Sequence, residues 1–302
     1  RAFSFNQDIS NWDVTSVTTT EYMFQNANSF NQPISNWNVS NVEYMNYMFQ
    51  YASIFNQDIS NWNVSNVKNM QGMFQDASGF NQPINDWSVN NVEFMTYMFQ
   101  NANSFNQPLY NWDVGNVEYM ISMFQSASNF NQDISNWNVS NVTNMSSMFQ
   151  DASNFNQPIN WNVSNVTTME SMFQGASSFN QNITYLISTI ILDTSINDMF
   201  VDSSLTEYYK TSFGNILYYN TGFTPIQVVN AGLSYSDKNI INTREILDEL
   251  ILDISNRNST GPGIITNNII PQDTSGETYF SINNWKFDNI TNFSNLFQDI
   301  SF

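Results

Sequence analysis

Apolar residues recur through the first 185 residues at one fixed set of steps. In one copy they are Ile34, Trp37, Val39, Val42, Met45, Met48, Phe49, Ala52 and Phe55. The step of two from Trp37 to Val39 puts both side chains on one face of an extended segment. The steps through Val42, Met45, Phe49 and Ala52 are three, four and three, which is helical spacing. The pattern predicts a short strand over 36–40 and a short helix over 41–51, with Ser40 and Asn41 as candidate N-caps. The segment Phe55-Asn56-Gln57-Asp58 then turns the chain back.

Tryptophan sets the ruler. Trp12, Trp37, Trp62, Trp87, Trp112 and Trp137 stand 25 residues apart, and Trp161 follows one residue early because its coil reads Pro158-Ile159-Asn160-Trp161. The methionines keep the same register, from Met45 with Met48 to Met169 with Met172, while Met23 and Met199 each precede a phenylalanine. Side chains placed this regularly mark stacked, near-identical coils, none of which can bury its apolar edge alone. The expected fold is an α/β repeat: a leucine-rich-repeat-like right-handed solenoid with one short parallel β-strand and one short helix per coil. Seven coils are expected over 1–185.

The string Phe-Asn-Gln-x-Ile-Ser-Asn-Trp-Asn-Val-Ser-Asn-Val-x-x-Met-x-x-Met-Phe-x-x-Ala resembles the BspA-like surface proteins, in the branch first described from mycoplasma lipoproteins. The resemblance covers residues 3–185 and resumes over 282–300. It implies a leucine-rich-repeat-like solenoid on a cell or particle surface, with adhesion and recognition of host proteins where roles are assigned. It implies no catalytic residues. One position departs from the leucine-rich pattern: Val42, Val67 and Val92 stand where that pattern has an inward Asn. Asn31, Asn56, Asn81, Asn106, Asn131 and Asn156 of the Phe-Asn-Gln turn are expected to supply an internal hydrogen-bonded ladder instead, because buried turn backbone needs partners.

Residues 186–204 read as a degenerate coil with Met199-Phe200 in the Met-Phe slot. Over 205–280 the pattern is lost, consistent with an irregular inserted segment or with degenerate coils, and one helix is expected from Asn242 to Asp253. The repeat returns over 281–302 with Trp285. Arg1 and Phe302 both fall in mid-coil, so the sequence reads as part of a longer chain.

Charge and missing residue types narrow the function. Seven Lys and Arg against 26 Asp and Glu give a formal net charge of -19, opposite to the basic footprint that nucleic acid requires. With no Cys and no His, the chain lacks thiolate ligands, disulfides and the commonest general base. No apolar run is long enough to insert in a bilayer. The expectation is therefore a chain that is not an enzyme and that holds no cofactor or metal.

Four sets of residues were candidates for chemistry. Asp8, Asp58 and Asp133 share one turn slot, but Pro or Asn fills it in other coils, so no calcium cage is expected and a turn role is preferred. Glu43, Glu93 and Glu118 share a slot expected in the first turn of the coil helix, where negative charge suits the helix dipole. Asn36, Asn38 and Ser40 repeat almost unchanged as the strand's outward row, which fits a periodic ligand or none. Tyr22, Tyr47 and Tyr97 share one slot, Tyr44, Phe94 and Tyr119 another, and Tyr51 stands alone. These aromatics are the candidate partner-binding residues, with inter-coil packing as the competing role. The expected function is protein–protein recognition or adhesion at the cell surface or outside the cell, through a host surface protein. The alternative is a structural part of a surface layer, fibre or virion, with a neighbouring copy as partner.

Overall fold

A computed structural model describes residues 3–235 apart from Thr221. The expected helix at 242–253, the returning coil at 281–302 and Trp285 lie outside these residues.

Each coil is a chain of four-residue turns. In the second coil the closing bonds run from Trp37 N to Ile34 O, Val42 N to Val39 O, Met48 N to Met45 O, Ala52 N to Phe49 O and Phe55 N to Ala52 O, all between 2.9 and 3.2 Å. The residues that open and close these turns are the apolar ones. All point inward, and Val42, Met45, Met48, Phe49 and Phe55 are fully buried.

The strand expected over 36–40 and the helix expected over 41–51 are not the elements found. Among the described residues helices form only at α1 (Thr184–Thr189), α2 (Glu207–Asn220) and α3 (Pro225–Asn230). Pairing between coils is centred eight residues after Asn36, on isolated parallel bridges that join Thr19, Tyr44, Asn69, Phe94, Tyr119, Asn144, Thr168 and Ser195 in order. The reason lies in where the amides point. Met45, Tyr47, Phe49 and Tyr51 donate their N–H groups to the carbonyls of Asn69, Gln71, Met73 and Gln75 in the next coil, at 2.8–3.0 Å. A helix would need those same amides for its own i−4 carbonyls. The residues between them, such as Met48 and Gln50, close turns within the coil. A turn brings its first and fourth residues to one side, so a run of turns imitates a helical period.

These turns need left-handed backbone at two positions per coil. Tyr47 has φ 58° and Tyr51 has φ 62°, each the third residue of its turn, as a type II turn requires. The same two slots hold Gly72 and Asp76, then Tyr97 and Asn101, then Ser122 and Ser126, all at positive φ. Glycine, Asn and Asp visit this region readily, and bulkier residues do so at about 1–2 kcal/mol each.

Side-chain columns run along the stack. Phe24, Phe49, Phe74, Phe99, Phe124, Phe149, Phe173 and Phe200 stack ring on ring at 5.4–5.7 Å. The indole N–H of Trp37 donates to the Ile9 carbonyl at 3.1 Å, and every tryptophan from Trp62 to Trp161 repeats this bond one coil on. The expected asparagine ladder forms, at the surface rather than inside. Asn31, Asn56, Asn81, Asn106, Asn131, Asn156 and Asn180 each donate a backbone N–H to the preceding Asn Oδ1, at 2.9–3.0 Å.

The two ends of the stack differ. Ser195, Asn197, Met199 and Val201 accept from the seventh coil, so the paired row extends into an eighth. Beyond it, α2 and α3 close the end. Asp198 N donates to Asn230 O at 2.7 Å and Phe200 N to Ala231 O at 2.8 Å, while Phe213, Leu217 and Val228 are fully buried. α3 starts on a capping box, with Thr224 N donating to Gln227 Oε1 at 2.9 Å and Pro225 in the first turn. At the opposite end Trp12 is 51% exposed.

The first coil also carries a defect. Thr20 occupies the slot that Met45, Met70 and Met95 fill in later coils, and its buried Oγ1 has no hydrogen-bond partner. Thr20→Met removes the orphan hydroxyl and adds buried apolar surface. It should stabilise the chain by about 1–2 kcal/mol in urea denaturation. A lower midpoint than wild type would show that the end coil has no room for the longer chain.

Candidate functional site

The polar rows of the stack are already engaged with one another. Gln25, Gln50, Gln75, Gln100, Gln125, Gln150 and Gln174 form a continuous amide ladder, each Nε2 donating to the next Oε1. Asn41, Asn66, Asn91, Asn116, Asn141 and Asn165 donate to carbonyls of the preceding coil at 2.6–2.8 Å. Asn38 and Asn63 accept from the N–H of Ser40 and Ser65 at 3.1 Å, and Asn61 donates to Ser35 O. The uniform Asn and Ser rows therefore hold turns and coils together. The glutamine ladder escaped the sequence reading because its slot was left open in the pattern, although Gln follows Met-Phe from the first coil to the seventh.

The acidic candidates are placed in two different ways. Asp8, Asp58 and Asp133 each accept the N–H two residues on, at 2.9 Å, as turn residues do. That backbone bond holds the Asp8 and Asp58 carboxyls below the ordinary Asp range. Among the described residues no group of three or more acidic side chains is arranged to hold a metal ion. Glu43, Glu93 and Glu118 do not sit on a helix. They occupy a backbone row in which Lys68 N donates to Glu43 O, Glu93 N to Lys68 O and Glu118 N to Glu93 O, at 2.8–3.0 Å. The helix dipole therefore does not account for these carboxylates.

The aromatic candidates gather on the edge that carries the parallel bridges. Tyr22, Tyr44, Tyr51 and Tyr119 are exposed, with Tyr22 at 49%, and Tyr47, Phe94 and Tyr97 are half-buried. The structure brings Tyr22 onto Tyr47, rings stacked at 5.2 Å, and Phe94 onto Tyr119 at 6.0 Å. Between Tyr47 and Tyr97 the slot holds Gly72, where a Cβ would lie 2.4 Å from the Tyr47 ring. Tyr47 thus covers the glycine. Burial pushes its phenol above the ordinary Tyr value, with the Tyr22 and Tyr97 phenols adding to the effect and the Gln71 side chain opposing it.

Four of these tyrosines, Tyr22, Tyr47, Tyr51 and Tyr97, hold left-handed backbone that Gly, Asn, Asp and Ser occupy in the same slots elsewhere. Strain of this kind, of order 1–3 kcal/mol per residue, gathers at functional positions. Beside the aromatics, Ser16, Thr18, Asn41, Glu43, Asn66 and Lys68 line a shallow groove of about 400 Å³. Trp37, Trp62, Trp87, Trp112, Trp137 and Trp161 are core residues and play no part on this edge. Among the described residues no helix is long and apolar enough to cross a membrane.

A family model described as "Mycoplasma protein of unknown function, DUF285" matches residues 1–112, 34–132 and 105–210. None of the curated proteins compared with the chain matches it.

Proposed function

Because the chain belongs to this Mycoplasma family of unknown function, we propose that it is a non-catalytic, surface-exposed repeat protein that serves recognition or adhesion. In this reading the stacked coils form a leucine-rich-repeat-like solenoid, and its aromatic edge meets a protein on the host surface. The observation that carries it is the exposed set Tyr22, Tyr44, Tyr51 and Tyr119 on one edge, with Tyr22 and Tyr51 held at positive φ, on a stack whose Gln and Asn rows bond from coil to coil. Tyrosine gives large, rigid contact area and concentrates in binding hot spots.

The test replaces Tyr22, Tyr44, Tyr51 and Tyr119 together by serine and compares beads coated with each chain for retention on cultured animal cells. Serine already fills the left-handed slots of Tyr22 and Tyr51 at Ser122 and Ser126, and the slot of Tyr44 and Tyr119 at Ser195, so the melting temperature should hold or rise. Retention should fall by about tenfold or more. Equal retention of a folded variant would sink the reading.

A second reading, a self-associating structural component of a surface layer, fibre or virion, draws on the first coil. The carbonyls of Thr19, Glu21, Met23 and Gln25 have no donor among the described residues. The matching donor row of a second copy is already bonded at Asp198 and Phe200 to the α3 end, which counts against end-to-end growth. Mass photometry of the chain across a concentration series decides between them. A single 34.8 kDa species favours recognition, and open-ended oligomers favour the structural role.

A further inference from the structure

We propose that Glu93, Phe94, Glu118 and Tyr119 form a docking surface for a basic segment of a partner protein, with a lysine or arginine side chain seated against the two carboxylates and the paired rings. This rests on the recognition reading above and supplies the chemistry of its partner.

The stack contains its own example of such a cation. Lys68 Nζ lies 2.7 Å from Glu43 Oε2, the only ion pair among the described residues. Its ammonium is held above the ordinary Lys value first by the bond to Glu43, with smaller contributions from Tyr44 and Glu93. A cation in this row therefore meets a carboxylate of the preceding coil. The pair lies in the groove between Asn41 and Asn66.

In the next two coils the same register carries Asn91 and Glu93, then Asn116 and Glu118. Glu118 N donates to Glu93 O at 3.0 Å, so these two residues are neighbours across the coil boundary. Thr143 follows in the row, so no second lysine supplies the counter-charge. The adjoining slot carries Phe94 and Tyr119, whose rings lie 7° from parallel, with Tyr119 open to solvent.

Carboxylates beside an aromatic face attract a guanidinium or ammonium by charge and by the ring quadrupole together. The formal net charge of -19 draws a basic partner towards the stack from a distance. It also attracts cations without specificity, so the test has to separate the site from the overall charge.

The probe is an oligolysine peptide, with its fully acetylated form as control, titrated into the full chain by calorimetry at physiological ionic strength. Glu93→Gln with Glu118→Gln should weaken binding by about five- to tenfold. Phe94→Ala with Tyr119→Ala should weaken it by about threefold with no change in net charge. Asp8→Asn with Asp133→Asn removes the same two charges at turns that Asn also serves, and should change affinity by less than about twofold. Lys68→Ala frees Glu43 beside Tyr44 and should raise the stoichiometry. Equal weakening by the two charge-matched pairs would overturn the inference by assigning binding to diffuse charge, and so would no binding of the peptide. If the tyrosine variant loses bead retention while oligolysine does not bind, this inference fails and the recognition reading stands. If bead retention is unchanged, the recognition reading itself fails.

Discussion

Phe99→Ala should destabilise the chain by about 3–5 kcal/mol. Phe99 is fully buried at the middle of the column. Its ring packs on Phe105 of its own coil at 4.2 Å, on Phe74 of the coil before at 5.7 Å and on Phe124 of the coil after at 5.5 Å. Truncation removes the transfer energy of the ring and leaves a gap among close-packed neighbours. The backbone cannot close that gap, because Phe99 N is bonded to Met123 O at 2.9 Å. In a stack where each coil touches only its neighbours, the damage should stay local and divide the array into two weakly coupled halves. Urea denaturation should show a lower midpoint and a broader transition. Phe5→Ala, on a half-buried ring of the first coil, should cost far less. Equal losses at both positions would show that the column does not behave as a chain of coil-to-coil contacts.

Gly214→Ala should cost about 1–3 kcal/mol, although alanine favours a helix over glycine by about 1 kcal/mol. Gly214 lies within α2, and a Cβ there would meet the Ser234 carbonyl oxygen at 1.9 Å and Val228 Cγ1 at 2.9 Å. The obstacle at Ser234 is backbone, so α2 must move away from α3 and the segment after it. The expected consequence is opening of the closed end alone. Hydrogen exchange at the amides of Asp198 and Phe200, which donate to Asn230 and Ala231, should speed up. Exchange at Phe99 should not. A stabilised variant with unchanged exchange would mean that α2 and α3 do not cover the stack through this contact.

Much of the coil was legible in the sequence because its period is rigid. The positions picked out by spacing alone, from Ile34 to Phe55, are buried ones. The asparagine of the Phe-Asn-Gln turn was expected to bond from coil to coil and does. The expected helix failed for a definite reason. Intervals of three and four residues arise from a helix, but also from consecutive turns whose end residues point inward. Spacing cannot tell these apart, and the amides of Met45, Tyr47, Phe49 and Tyr51 decide it by bonding outward to the next coil. Composition held a hint. A helix has no use for Gly72, Asp76, Asn101 and Gly175 at fixed slots, whereas left-handed turn positions favour such residues.

The candidate site was legible only in part. Shared slots grouped Tyr22, Tyr47 and Tyr97, and separately Tyr44, Phe94 and Tyr119, with Tyr51 alone, since the repeat dictates that equal slots line up along the stack. Which of them touch was not legible, because ring contacts depend on what the intervening coil holds. Tyr47 folds over Gly72, and Phe94 meets Tyr119 after the break at Asn69. The glutamates show the same limit. Their common slot was readable, but its setting was not, and only the paired backbone shows that Glu43, Lys68, Glu93 and Glu118 form one row. The sequence by itself determined the period, the inward residues and the asparagine ladder of the Phe-Asn-Gln turn, because a side chain repeated every 25 positions must meet its own copies when coils stack. The tertiary structure alone decided what closes each amide, which aromatics pair and how the end is capped, because those choices depend on the neighbouring coil and not on the local run of residues.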